Sequence, residues 1–207
     1  SFPDHGILGE ETGNTKSNSP YLWVIDPLDG TTNFVHDYPS YAVSIGVLYE
    51  GQPIVGVIME LPMNKMYFAV QNEGTYCDTE RISVSTTSDL SQSLLVTGFG
   101  YDHGSFWETN MRLFKHFTNI TQGVRRLGAA SVDLCHVASG KADGFWEFDL
   151  HPWDTAAGIL IVTEAGGTIS KIDGAPFMIN DKQIIASNGF IHNKFIDEIK
   201  NKNAFSF

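Results

Sequence analysis

The sequence predicts an α/β protein in which layered sheets stack with helices between or around them, and three observations carry that expectation. Between Tyr41 and Val70, short apolar runs are separated by turn chemistry, the pattern of an antiparallel meander. From Leu94 onward, strand-like runs alternate with helical ones. The run Asp154 to Ala165 is apolar on nearly every side, which suits a buried helix. Periodicity gives these elements and leaves their stacking order open.

In chain order, residues Ser1 to Pro20 hold G-I-L-G-E-E followed by a polar stretch, Thr12 to Ser19, expected to be a mobile loop. Tyr21 to Ile25 is strand-like and is expected to stop at Asp26-Pro27, because proline cannot donate to a sheet ladder. That strand would deliver Asp26 and Asp29 to its carboxyl end. Gly30 permits a tight turn, Asp29 or a threonine can cap a helix starting there, and the amides of such a start favour an anion.

Tyr41 to Tyr49 and Ile54 to Met59 read as strands joined through Glu50-Gly51-Gln52-Pro53, with Met66 to Val70 as a third and Asn72-Glu73-Gly74 as the next turn. Leu94 to Phe99 is a further strand. Ser105 with Glu108 has capping-box spacing and opens a helix in which Trp107, Met111 and Phe114 share a face. Leu127 to Ser139 reads as a second helix stopped by Gly140. Gly144 to Phe148 is a short aromatic strand, and Pro152 suits the first position of the buried helix, which Gly166-Gly167 ends. Thr168 to Ile172 and Gln183 to Ala186 are late strands, and Phe190 to Ile199 a terminal helix.

The 207 residues suffice for one domain or two tightly fused halves, divided near residue 125. A formal net charge of −11, with Arg125-Arg126 the one adjacent basic pair, argues against a nucleic-acid partner. No apolar run reaches the roughly 20 residues of a membrane span, and residues 1 to 20 lack the regions of a signal peptide, so a cytoplasmic protein without a membrane partner is expected. Cys77 and Cys135 form no C-x-x-C pair and are read as free thiols in a reducing compartment.

Two acids beside an anion-binding turn conflict unless a cation stands between them. Unit charges about 4 Å apart interact by roughly 1 to 4 kcal/mol across effective dielectrics from water to a protein surface, and here that interaction would be repulsive. Asp154, in the first turn of the buried helix, is a third such acid, favoured there by the helix dipole by about 0.3 to 1 kcal/mol. His36, His136 and His151 are isolated and are read as structural or surface groups. Glu11 stays open between a supporting acid and a surface charge, and Arg126 between a substrate and a structural role.

With G-E-E at Gly9 to Glu11, D-P-L-D-G-T-T-N-F at Asp26 to Phe34, R-R-L-G-A-A-S-V-D-L at Arg125 to Leu134, H-P-W-D-T-A-A-G at His151 to Gly158 and E-A-G-G at Glu164 to Gly167, the chain closely resembles the inositol monophosphatase family over nearly its whole length. The resemblance implies a single domain over residues 1–207 with an αβαβα layered sandwich of the sugar-phosphatase type. The helical pair that usually precedes the G-E-E motif in that family is mostly outside this sequence.

It also implies a magnesium-dependent, lithium-sensitive phosphomonoesterase, often a homodimer. Glu10, Asp26 and the Leu28 carbonyl would hold one Mg²⁺, and Asp26, Asp29 and Asp154 a second, of two or three ions in all. Gly30 and Thr31 would contact the phosphate through backbone amides. Thr31 with Glu10 would position or deprotonate the attacking water, with Asp29 also part of the catalytic set. Glu147 would hold a substrate hydroxyl.

The expected partner is a small phosphate ester, inositol monophosphate first and NADP or fructose 1,6-bisphosphate as alternatives; a non-catalytic metal-binding module is the reading from another class. The residues agree with the resemblance. Monoester hydrolysis needs up to ~10²¹-fold acceleration, paired metals supply what hydrogen bonds alone do not, and an all-oxygen ligand set suits Mg²⁺ rather than zinc.

Overall fold

The computed structural model describes residues 2–11, 13–15, 17–100 and 103–201. The strands are β1 (Gly6–Gly9), β2 (Gly13–Thr15), β3 (Tyr21–Asp29), β4 (Ala42–Tyr49), β5 (Gln52–Glu60), β6 (Lys65–Val70), β7 (Gly74–Cys77), β8 (Glu80–Ile82), β9 (Leu94–Thr97), β10 (Gly123–Arg125), β11 (Gly144–Phe148), β12 (Thr168–Ser170) and β13 (Gln183–Ser187). The helices are α1 (Thr31–Val35), α2 (Ser105–Ile120), α3 (Ala130–Ala138), α4 (Pro152–Glu164) and α5 (His192–Asn201).

Among the described residues the strands form two sheets, an eight-stranded one in the order β2-β1-β3-β4-β5-β6-β7-β8 and a five-stranded one in the order β10-β9-β11-β13-β12. The meander expected from the turns is β4 to β7, antiparallel throughout, whereas β1 runs parallel to β3.

Alternation along the strands fixes the layers. Phe145 and Ile184 face a core shared with α3, α4 and the inner residues Ile58 and Tyr67 of the large sheet. Their neighbours Trp146 and Ile185 face the opposite way, into a second core with Leu113 and Phe117 of α2 and Phe195 and Ile199 of α5. The stacking order that periodicity left open is therefore large sheet, α3 and α4, small sheet, α2 and α5. The large sheet's other face carries Ile45, Val57 and Phe68 in register, each partly exposed.

A pair of strand glycines makes the close packing of α4 possible. Gly46 and Gly56 are cross-strand partners. A Cβ on Gly46 would lie 2.7 Å from the Ala156 Cβ, and one on Gly56 would lie 2.6 Å from the Ala157 carbonyl. On the helix's other side a Cβ on Gly158 would meet Leu134 of α3 at 2.4 Å. The small run Ala156-Ala157-Gly158 is thus squeezed from both sides, a reason for its composition that is independent of any chemistry.

Several boundaries differ from the sequence expectations. Part of the polar stretch 12–19 is a strand, with Gly13–Thr15 paired antiparallel to β1; Thr12 and Lys16 lie outside the described residues. α3 begins at Ala130 rather than Leu127, since Gly128 has φ +82° and cannot continue a right-handed helix. Ser105 makes no capping bond, because Gly104 holds the cap position of α2. The buried residues of α2 are Thr109, Asn110, Leu113 and Phe117, not the Trp107, Met111 and Phe114 face. Among the described residues no helix is long and apolar enough to cross a membrane.

Candidate active site

β3 does not stop at Pro27. It runs on to Asp29, and its pairing with β4 slips on the way: Asp26 faces Ser44 and Asp29 faces Ala42, so three steps on β3 match two on β4. In a regular strand, residues three apart point to opposite faces. The one extra residue brings Asp26 and Asp29 to the same side, and Pro27 is tolerated because a bulge needs no ladder donor there. The Asp26 carboxylate accepts the Leu28 N–H at 2.9 Å, which fixes the bend.

The parallel pairing of β1 sets Gly9 beside Ile25, and the Glu10 N–H donates to the Ile25 carbonyl, so Glu10 emerges next to Asp26. After Asp29 the chain turns at Gly30 with φ +84° and ψ +38°, where a Cβ would come within 2.8 Å of the Ser40 carbonyl. No side chain caps α1; the Thr31 hydroxyl instead donates back to the Leu28 carbonyl at 3.0 Å. Asn33 clips this short helix to the rest of the fold through the carbonyls of Ser40 and Leu127, at 2.6 and 2.7 Å.

These elements meet the start of α4 and the end of β11 around a cavity of about 400 Å³. All eight residues expected from the sequence line it: Glu10, Asp26, Leu28, Asp29, Gly30, Thr31, Glu147 and Asp154. The His151 N–H donates to Asp154 at 2.7 Å, holding the carboxylate across the first turn of α4. Asp29 accepts from both the N–H and the hydroxyl of Ser131, at the start of α3. The Glu147 carboxyl lies against Gly98, where a Cβ would sit 2.1 Å from its Oε1.

Other cavity residues are not among the expected site residues, Arg126 being one that the sequence leaves open between a substrate and a structural role. His151, read as structural, lines the cavity with its ring stacked 4.7 Å from Trp153. Arg126 also lines it, its guanidinium 5.2 Å above the Phe99 ring. Asp149 and Lys182 line it as well, and no local pattern marked them. His36 and His136 lie elsewhere, the latter 3.7 Å from the buried Glu60. Glu11 is exposed and Glu164 binds the Asn72 and Gly74 amides, away from the cavity. Ser131 could have been suspected only through its distant partner Asp29.

The electrostatics are those of crowded acids. Burial, then the neighbouring Asp29, pushes Asp26 up to about 8. Burial likewise pushes Asp154 up to about 7, with Asp29 and Glu10 adding to the rise against the His151 bond. Asp29 is raised by burial despite its bonds to Ser131. As the side chains stand, no three Asp, Glu, His or Cys groups among the described residues converge as a closed metal cluster, and Glu10 is exposed at the rim. The donor set nevertheless fits a hard cation: oxygens only, several on one cavity wall, with Asp26, Asp29 and Asp154 raised by burial and by neighbouring carboxylates.

Comparison with known proteins agrees with this geometry. Residues 1–204 match the model of the inositol monophosphatase family. The chain is 52% identical over 206 residues to "Phosphatase IMPL1, chloroplastic" of Arabidopsis thaliana, an alignment covering 96% of this chain and 56% of that protein. It is 48% identical over 191 residues to an inositol-1-monophosphatase of a Synechocystis species, covering 92% and 67%. The structure of inositol monophosphatase from Anabaena superposes with a TM-score of 0.93 at 45% identity, covering 97% of this chain and 80% of that one. The present chain spans little more than half the length of its plant relative. On the match over residues 1–204 and the shared layered fold, the chain belongs to the inositol monophosphatase family.

Proposed function

We propose that the chain carries the catalytic site of a Mg²⁺-dependent phosphoric monoester hydrolase acting on a small polyol phosphate, inositol monophosphate before others. The observation that supports this most is the convergence of Glu10, Asp26, Asp29 and Asp154 on one cavity, with Asp26 and Asp154 raised to about 8 and 7 by burial and by neighbouring carboxylates. Glu10, Asp26 and the Leu28 carbonyl would hold one ion, and Asp26, Asp29 and Asp154 a second. Bound Mg²⁺ supplies a lowered pKa for coordinated water and neutralises charge on the ester.

The chain's own groups do the rest. Gly30 and Thr31 present amides at the start of α1, where helix geometry leaves N–H groups without partners, and these receive phosphate oxygens. With its proton committed to Leu28, the Thr31 hydroxyl turns its lone pairs toward a water that Glu10 holds. Water oxygen bonds to phosphorus as the ester P–O bond breaks, giving inorganic phosphate and the free alcohol with no phosphoenzyme. Glu147, buried against Gly98, accepts a hydroxyl of the polyol. The name of the Synechocystis relative supports the choice of inositol monophosphate.

The test is phosphate release from inositol 1-phosphate, fructose 1,6-bisphosphate and NADP with Mg²⁺, without it and with added Li⁺. Magnesium-dependent, lithium-inhibited release, greatest from inositol 1-phosphate, is expected. Metal-independent release would overturn the Mg²⁺-dependent mechanism, and release from none of the esters would overturn the proposal and favour a carboxylate-bearing scaffold.

A further inference from the structure

Asp133, on α3, has no exposed surface, and neither of its carboxyl oxygens has a hydrogen-bond partner among the described residues. Buried polar groups are almost always partnered, and leaving one without a partner costs about 1–3 kcal/mol. Leu at this position would spare the fold that cost, so the carboxyl calls for a reason beyond stability. The remaining buried carboxyl oxygen without a partner among the described residues is Oε2 of Glu147, on β11.

Glu147 is 8% exposed, lines the cavity and packs flat against Gly98. Two residues beyond Phe145 on β11, it faces the α3 side of the small sheet, where Asp133 is the first of the charged groups that act on it, followed by Asp154, Asp29 and the cation Arg126. Two neighbouring buried carboxyls whose oxygens lack donors complement each other when one keeps its proton and donates it to the other.

Resting on the polyol-phosphate reading above, we propose that Asp133 is a positioning residue for Glu147. It secures the buried Oε2 side of that carboxyl, so that the other oxygen faces the cavity to accept a substrate hydroxyl. Asp133 itself touches neither the phosphate nor the reacting water. Its influence should therefore fall on the alcohol portion of the substrate and not on phosphoryl chemistry.

The test compares Asp133→Leu and Asp133→Asn with the wild type on inositol 1-phosphate and on 4-nitrophenyl phosphate, which has no hydroxyl to offer. In the Leu variant the ratio of kcat/KM for the two esters is expected to fall about 10-fold, as for a lost hydrogen-bond orientation, mainly through KM for inositol 1-phosphate. Its Tm should equal or exceed that of the wild type. The Asn variant, whose amide can still donate to Glu147, should keep the ratio within about 3-fold. An unchanged ratio in the Leu variant, or an equal loss on both esters, would overturn the inference. If the wild type hydrolyses neither ester, the functional proposal falls, and calorimetric binding of the intact esters reads the same ratio; equal selectivity in wild type and Leu variant would then overturn this inference separately.

Discussion

α1 and α4 both begin at the cavity, and they are built in opposite ways. α1 has five residues, none of them buried, and exposes Phe34 and Val35 to 53% and 72%. It is held from outside, by the β3 bulge, by the left-handed turn at Gly30 and by the Asn33 clip. α4 has thirteen residues and buries seven of them, wedged between Gly46 and Gly56 of the large sheet and Leu134 of α3. One helix offers backbone amides and contributes little to the core; the other is core and delivers a single carboxylate, Asp154. A site can thus place its anion-facing part on an element tethered at a few points, provided the element facing it is immobilised by packing.

The largest expected effect tests the carboxylate that α4 delivers, Asp154. Asp154→Asn keeps an oxygen able to accept the His151 N–H, yet removes a charge from the proposed ion site. Hydrolysis should fall by at least about 100-fold, the scale for losing one group that stabilises charge in the transition state.

Stability should move the other way. Asp154 has a folded pKa near 7 against an ordinary 3.8, so the folded state holds its proton more tightly than the unfolded state. Its contribution to stability is full below 3.8 and is lost as pH rises through about 7; Asp26 behaves alike up to about 8. Metal-free wild type should therefore lose Tm between pH 4 and 8, and Asp154→Asn should flatten that decline. A Tm of the metal-free protein that rises over this interval would contradict the proposed crowding.

Gly46→Ala, next in size, attacks the wedge. Its Cβ would overlap Ala156, and overpacking of this kind costs about 1–3 kcal/mol, or several degrees of Tm in a protein of this size. Residual activity of the folded fraction should change less than stability does. The smallest effect belongs to α1: Val35→Ser should alter stability by less than about 0.5 kcal/mol, as exposed substitutions do. A larger loss in chemical denaturation would mean that α1 is more deeply anchored than its burial indicates.

How much of this was legible beforehand depended on whether the cause was local. The meander, β11 and α4 could be read because their periodicity and turn residues are local causes. Seven of the eight expected site residues could be named because the motifs around them are continuous, and Glu147 by its place seven residues before Asp154 in the resembled family. The buried face of α2 could not: Asn110 lies in the core, donating to the Gly98 carbonyl and accepting from Trp146, and a polar residue there hides the face from a hydrophobic count. Gly46 and Gly56 went unremarked within their strands, and only the helix above them explains them. Asp133 and Ser131 were invisible because their significance lies in residues far along the chain.

That separation also affects how the protein acquires its site. The bonds from Ser131 to Asp29 span 102 residues and the Asn33 clip spans 94. The first joins β3 to the start of α3 and the second joins α1 to the segment that leads into α3, so the cavity closes only after two distant stretches of chain have met. Loop-closure entropy must be overcome before those contacts can form. Folding should therefore raise the sheets first and complete the acidic pocket late, and a nascent chain released before α3 has emerged would have the Asp26–Thr31 motif but no floor to hold it against.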